Sequence, residues 1–176
     1  MDIKKIKSRD LERLSVSEFK SEEKIPVVIV LDNVRSGHNV GSFFRTADGF
    51  RLEKILLGGI TPTPPNKEIS KAALGSIDTV EWEHIEDLQP LILGYKHKGY
   101  QILSIEQCTG SKVLGNQTFA KNPIVLIFGN EVKGVSQDLI DLSDAAVEIP
   151  MFGTKHSFNV SISGGIVIWE AVKVHL

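Results

Sequence analysis

The run VVIVL at residues 27–31 constrains this chain most, because it is apolar on every residue and rich in β-branched side chains. A strand with no polar face must be covered on both sides, which is the situation of a strand inside a parallel sheet. Similar short runs follow at KILLGG (54–59), YQILSI (100–105), PIVLIF (123–128) and AAVEIP (145–150), with helical-looking stretches between several of them. Alternation of this kind predicts an α/β fold.

The remaining segments are read around that frame. Residues 8–20 are expected to form a short amphipathic helix through Leu11, Leu14 and Phe19, so residues 1–24 are treated as a helical N-terminal extension and 25–176 as the main domain. TPTPPNKEISKAALG (61–75) begins as a proline-rich loop and ends in a helical turn at 68–74. A helix is expected near 85–97, with Pro90 in its first turn or bending it. The segment VSISGGIVIWEAVKVHL (160–176) has strand-favouring Val and Ile but the length of a terminal helix.

A length of 176 residues with 41% hydrophobic and 24% charged residues fits one globular domain. No apolar run is long enough for a membrane span and the start MDIKKIKSRD lacks a secretory apolar stretch, so a cytoplasmic protein is expected. Cys108 is the single cysteine, which excludes an internal disulfide and a thiolate zinc framework, and it is expected to pack near a strand end. The five histidines show neither metal spacing nor a hydrolase pattern, so no metal is expected. Net charge is −2, so an RNA surface would have to be a local patch. Lys4, Lys5, Lys7, Arg9 and Arg13 form one candidate, with a solvated helix face as the alternative.

Three polar, glycine-containing junctions follow predicted strands: LDNVRSGHNVGSFFRTADGF (31–50), FGNEVKGVS (128–136) and IPMFGTKHSFNVSIS (149–163). Ligands in open α/β sheets collect outside the carboxyl ends of strands, so the three define one prospective site. In the first, Asn39 can cap a helix that buries Phe43, Phe44 and Ala47, and small Gly41 and Ser42 would admit a ligand. Arg45 then lies on another side of the helix, where alone it reads as a surface ion pair with Asp48 or Glu53. Arg35 and His38 either contact phosphate or face solvent. In the second junction, Gly129 and Gly134 are spaced as in a phosphate loop, but Val135 replaces the required Lys, which disfavours a nucleotide triphosphatase. No dinucleotide fingerprint follows any strand. The glycines can instead place backbone groups against an adenosine-sized ligand, with Glu131 as a fixed carboxylate, or simply form a turn. In the third, Ser157 and Asn159 suit either a helix cap or a substrate hydroxyl.

Taken together, the junctions resemble the three motifs of the SpoU/TrmH family of RNA ribose methyltransferases in the SPOUT superfamily. The first is similar to N-x-G-x-x-x-R-T-A, as Asn39, Gly41, Arg45, Thr46 and Ala47. The second resembles G-N-E-x-x-G, as Gly129, Asn130, Glu131 and Gly134, and the third resembles I-P-M with S-L-N-V-S, as Ile149, Pro150, Met151 and Ser157 to Ser161. Phe158 for Leu, and Ser163 with Gly164 where Ala is common, depart from the pattern at positions expected to shape the cofactor pocket.

The resemblance implies a mostly parallel α/β sheet with helices on both faces, a deep trefoil knot in the C-terminal third, and a helix for the last segment. It also implies S-adenosyl-L-methionine (SAM) held by backbone groups at Gly129, Ile149, Met151 and Phe158, and methyl transfer to a ribose 2′-hydroxyl of tRNA or rRNA. A homodimer is implied, with Arg45 reaching the partner's cofactor. Arg45 is expected to clamp RNA phosphate and stabilise alkoxide charge, and by family analogy to accept the proton, with Glu131 as the alternative acceptor. Asn39, Ser157 and Asn159 would orient the ribose or Arg45. The rival readings are a non-catalytic RNA-binding module of the same fold and an enzyme acting on a small nucleoside or phosphate; intact Arg45, Glu131 and Asn159 favour the enzyme over the module.

Overall fold

The apolar runs assemble into one sheet because each has two faces to bury. In the computed structural model, which describes residues 3–7, 10–115 and 119–176, the chain runs α1 (Val16–Ser21), β1 (Ile25–Asp32), α2 (Gly37–Gly49), β2 (Leu52–Gly58), α3 (Lys67–Ala73) and β3 (Trp82–Ile85). It continues through α4 (Leu88–His97), β4 (Gln101–Ile105), β5 (Lys112–Val113), β6 (Ile124–Phe128), α5 (Gln137–Leu142), β7 (Ala145–Glu148) and α6 (Val160–Val172), and closes on a 3-10 turn at Lys173–His175. The strands lie in the order β3-β2-β1-β6-β4-β7-β5, and each ladder among the described residues is parallel.

Side-chain alternation splits the core into two layers. Val27, Ile29 and Leu31 of β1, with Ile124, Leu126 and Phe128 of β6, pack with Phe43 and Phe44 of α2, Ile69 of α3 and Val167 and Ile168 of α6. Val28 and Val30, with Val125 and Ile127, face the other way onto Leu88, Ile92 and Tyr95 of α4 and Leu139 of α5. Helices on both faces are therefore what VVIVL required. No helix among the described residues is long and apolar enough to cross a membrane.

The helix ends follow local hydrogen bonding. Ser15 and Glu18 form a reciprocal capping box, so α1 begins only at Val16, leaving Leu11 and Leu14 exposed while Phe19 is buried. The helix expected at 8–20 is thus confined to its last turns; residues 8 and 9, including Arg9 of the basic stretch, lie outside the described residues. Asp87 caps α4, which puts Pro90 in the first turn, where a missing N–H costs no helical bond. Ser36, not Asn39, caps α2 through its hydroxyl, 3.3 Å from the Asn39 N–H. The short strands β3 and β5 have no counterpart in the sequence reading, because WEHI is half polar and KV is only two residues long.

Two glycines set how closely α2 is packed. A Cβ on Gly41 would lie 2.5 Å from the Ile69 carbonyl oxygen and 2.7 Å from the Ala72 Cβ, so this residue serves the contact of α2 with α3 and does not admit a ligand. On Gly164 a Cβ would lie 2.3 Å from the Phe43 ring, which joins α6 to α2. Gly41→Val should lower unfolding free energy by about 2 kcal/mol or more through overpacking against backbone. Urea denaturation followed by circular dichroism checks this, and an unchanged midpoint would contradict the packing role.

Candidate active site

The loops leaving β1, β6 and β7 converge at one edge of the sheet, at the carboxyl ends of the strands. Their centre is the Glu131 carboxylate. Its Oε2 accepts the Arg35 backbone N–H at 3.0 Å, and its Oε1 accepts the Ser36 N–H at 3.1 Å and the Asn39 side-chain amide at 3.0 Å. Burial pushes the Glu131 pKa up, but the N–H groups of Arg35, Glu131 itself and Ser36, with the Asn39 amide, outweigh it and hold the carboxyl below its ordinary value. A carboxylate engaged in this way is a poor proton acceptor and a good anchor for the start of α2.

Asn130 fixes the rest of that loop. Its side-chain amide donates to the Asn33 carbonyl at 2.7 Å, and its Oδ1 accepts the N–H groups of Val132 and Lys133. Gly134 turns the chain with φ +70°, and reciprocal backbone bonds to Asn130 close the loop. A Cβ on Gly129 would lie 2.1 Å from the Val135 nitrogen, so glycine is required there by the loop's own backbone.

Asn39 passes the arrangement on to the third junction. It is buried on α2, and its Oδ1 accepts the Asn159 amide at 3.2 Å and the Ser161 hydroxyl at 3.4 Å. Asn159 in turn caps α6 by accepting the Ser161 N–H at 2.9 Å. The capping and functional readings of Asn159 are therefore compatible: Oδ1 caps and the amide binds Asn39. One hydrogen-bonded chain, Glu131 to Asn39 to Asn159, connects the three junctions.

Beside this chain lies a cleft in two adjoining parts of about 260 and 430 Å³. Gly129, Ile149, Met151, Ser157 and Phe158 all line it, as does Ser163, whereas Gly164 is buried against Phe43. Ile105 and Val147 give it an apolar floor, and Glu106 adds a carboxylate whose Oε2 accepts the Val135 N–H at 2.9 Å. The Gln107 amide donates to the His156 carbonyl at 2.7 Å and ties the 149–159 loop to β4. Its size and apolar floor fit an adenosine-bearing cofactor. Sequence reasoning missed Ile105, Glu106 and Gln107. The signal was that YQILSI ends at the same sheet edge as the three junctions, although an EQ dipeptide has no motif character of its own.

Arg45 does not enter this cleft in its own chain. It is exposed, and it lines a separate open groove of about 530 Å³ with His38, Lys71, Leu74, Ser161 and Ile162. The ion pair expected from sequence is absent: Asp48 accepts the Thr79 hydroxyl and Glu53 accepts the Tyr100 hydroxyl, leaving the guanidinium without a partner among the described residues. The hydroxyls of Ser42 and Thr46 donate back to the carbonyls of His38 and Ser42. Ser161 lies between the groove and the Asn39–Asn159 pair. Cys108 sits in the turn after β4, where burial and then Glu106 and Glu148 push its thiol pKa up, unfavourably for a nucleophile.

The site thus combines a doubly covered parallel sheet, a nucleoside-sized cleft at its carboxyl edge and a separate groove lined by Arg45 and Lys71. The chain belongs to the SpoU rRNA Methylase family, whose pattern it matches over residues 26–169. It is 30% identical over 146 residues to the tRNA (guanosine(18)-2′-O)-methyltransferase of Aquifex aeolicus, covering 82% of this chain and 68% of that protein. The crystal structure of the A. aeolicus TrmH/SpoU tRNA modifying enzyme superposes with a TM-score of 0.79 at 26% identity, covering 91% of this chain and 80% of that one. The AdoMet-bound rRNA methyltransferase of Sinorhizobium meliloti gives 0.75 at 26% identity, covering 94% and 62%. The chain spans 63% of the length of the TrmH-family relatives from staphylococci that it matches.

Glu131→Gln should reduce unfolding free energy by about 1–3 kcal/mol at neutral pH, since an amide cannot accept from every donor facing it. Because the folded-state pKa is lowered, the carboxylate's contribution is complete above its ordinary value of 4.5 and is lost as pH falls below it. Urea titrations between pH 3 and 7 should show a shallower acid loss in Glu131→Gln than in wild type; parallel curves would contradict the anchor.

Proposed function

We propose that residues 25–176 are the methyl-transfer domain of a SAM-dependent RNA ribose 2′-O-methyltransferase, with residues 1–24 as an N-terminal extension. The observation that carries this reading is the Glu131–Asn39–Asn159 chain at the mouth of the cleft, with Arg45 left unpaired in the neighbouring groove. The names of the Aquifex and Sinorhizobium relatives, a tRNA 2′-O-methyltransferase and an AdoMet-bound rRNA methyltransferase, support it. A cytoplasmic location and a trefoil knot over the C-terminal third are part of the same reading.

SAM supplies an activated methyl group on a sulfonium, so the transfer needs no metal. The residues must bring a ribose 2′-oxygen in line with that methyl and remove its proton. Gly129, Ile149, Met151 and Phe158 would hold the cofactor in the cleft, with the Ile105 and Val147 floor excluding water. Asn159, oriented by Asn39, and Ser157 position the ribose. Arg45 clamps the adjoining phosphate, stabilises charge developing on the 2′-oxygen, for which a planar guanidinium with several donors is suited, and relays the 2′-proton to water in its open groove. Glu131 is a positioning residue, since its oxygens are occupied by Arg35, Ser36 and Asn39.

Arg45 and the cofactor cleft of the same chain occupy different grooves, so the site is completed by a second copy. Ile162 and Trp169, 54% and 47% exposed on the hydrophobic helix α6, offer the apolar surface for that copy beside the Arg45 groove.

Arg45→Lys and Asn159→Ala should each cut tritium transfer from labelled SAM to bulk tRNA or rRNA by at least about tenfold, with the fold and SAM affinity retained. Co-expressing the two variants regenerates one intact composite site per mixed dimer, restoring about a quarter of wild-type activity for random pairing. Activity near wild type in either single variant contradicts the assigned role. Mixtures no better than the single variants contradict a site shared between subunits.

A further inference from the structure

A third concavity at this edge of the sheet lies outside both the cofactor cleft and the Arg45 groove. It is a hollow of about 650 Å³ on the other side of the 129–136 loop, at the carboxyl ends of β1 and β2. Two branched apolar side chains flank it in the open, Ile60 at 68% and Val132 at 74% exposure. Both line the same hollow, so they are not scattered singly over the surface. The charged groups beside them are Arg35 and Lys133.

The acid in the hollow, Asp32, keeps its charge but offers a ligand no free oxygen. Asp32 is 3% exposed, and its oxygens are taken by the Asn33 amide at 2.7 Å and the Ser136 N–H at 2.7 Å. Arg35 approaches Glu131 only at 3.9 Å through Nε with its side chain 58% exposed, and Lys133 has no ion pair among the described residues. The hollow thus combines an apolar surface with two available cations, the complement of a nucleobase joined to a phosphate.

Its position selects the ligand further. Asn130, Val132 and Gly134 line both this hollow and the cofactor cleft, so the two are back to back across one loop. We propose that this hollow binds an RNA nucleotide flanking the one that is methylated, its base against Ile60 and Val132 and its phosphate at Arg35 and Lys133. The inference rests on the methyltransferase reading and names within it a specificity surface that neither the cofactor nor the ribose uses. The 129–136 loop then touches cofactor on one side and RNA on the other, and the anchoring of that loop by Asn130 and Glu131 keeps the two in register.

The test uses the full chain with Ile60→Asp and Lys133→Ala, neither of which lines the cofactor cleft. Filter binding to bulk tRNA and bulk rRNA over a salt series is measured with steady-state methylation and SAM calorimetry. Each variant should raise the KM for RNA at least about fivefold with kcat within about twofold, while SAM affinity stays constant. Lys133→Ala should also reduce the slope of log affinity against log salt by about 0.7–0.9, the loss of one phosphate contact. Wild-type KM and binding in both variants, with a wild-type protein that methylates RNA, would overturn the hollow alone. A wild-type protein that methylates no RNA would overturn the methyltransferase reading; the hollow would then be supported by weakened filter binding in the variants and overturned by unchanged binding. Competition by free 5′-mononucleotide at concentrations comparable to RNA would also overturn an RNA-binding role.

Discussion

A single carboxylate holds this edge of the molecule together. Glu131 accepts two backbone N–H groups at the entry of α2 and the side chain of Asn39 one turn further on, which joins segments more than ninety residues apart in sequence. Hydrogen bonds to a charged group contribute about 1.5–3 kcal/mol each, enough to fix a loop that has little core of its own. Asn39 then reaches Asn159, which starts α6. The three junctions are joined through this sequence of bonds, and Gly41 and Gly164 let α2 seat closely on α3 and α6.

The same geometry explains why Arg45 and the cleft part company within one chain. α2 presents its Asn39 face to the cleft and its Arg45 face to another groove, as a helix must when two residues are six positions apart. On the proposed reading, dimerisation is therefore part of the chemistry: it brings the unpaired guanidinium of one copy to the cleft of the other. An unpaired, exposed arginine contributes little to the fold, which leaves it available for an anionic substrate.

Much of this was legible in the sequence. VVIVL could be buried only inside a doubly covered parallel sheet, and β1, with its neighbours β2 and β6, is that element. The junctions lay at strand ends, so a common site followed from the crevice rule. Other assignments needed three dimensions. Asn39 looked like a cap because cap residues are amides, hydroxyls and carboxylates near a helix start, but Ser36 stands three residues earlier and takes that place. Gly41 looked permissive for a ligand because sequence cannot say what approaches a glycine; here it is the Ile69 carbonyl. Arg45 looked paired because Asp48 and Glu53 are near in sequence, yet Thr79 and Tyr100, distant in sequence, engage those acids. Glu106 had no motif to announce it and is placed only by the β4–β6 ladder.

The account stands most directly on where the methyl group goes. Bulk tRNA and rRNA incubated with the protein and labelled SAM, digested to nucleosides and separated by mass spectrometry, should carry the label as 2′-O-methylribose, reduced at least about tenfold when Arg45 is replaced by Lys. Label on a base, or no label on RNA from a protein that binds SAM, would contradict it.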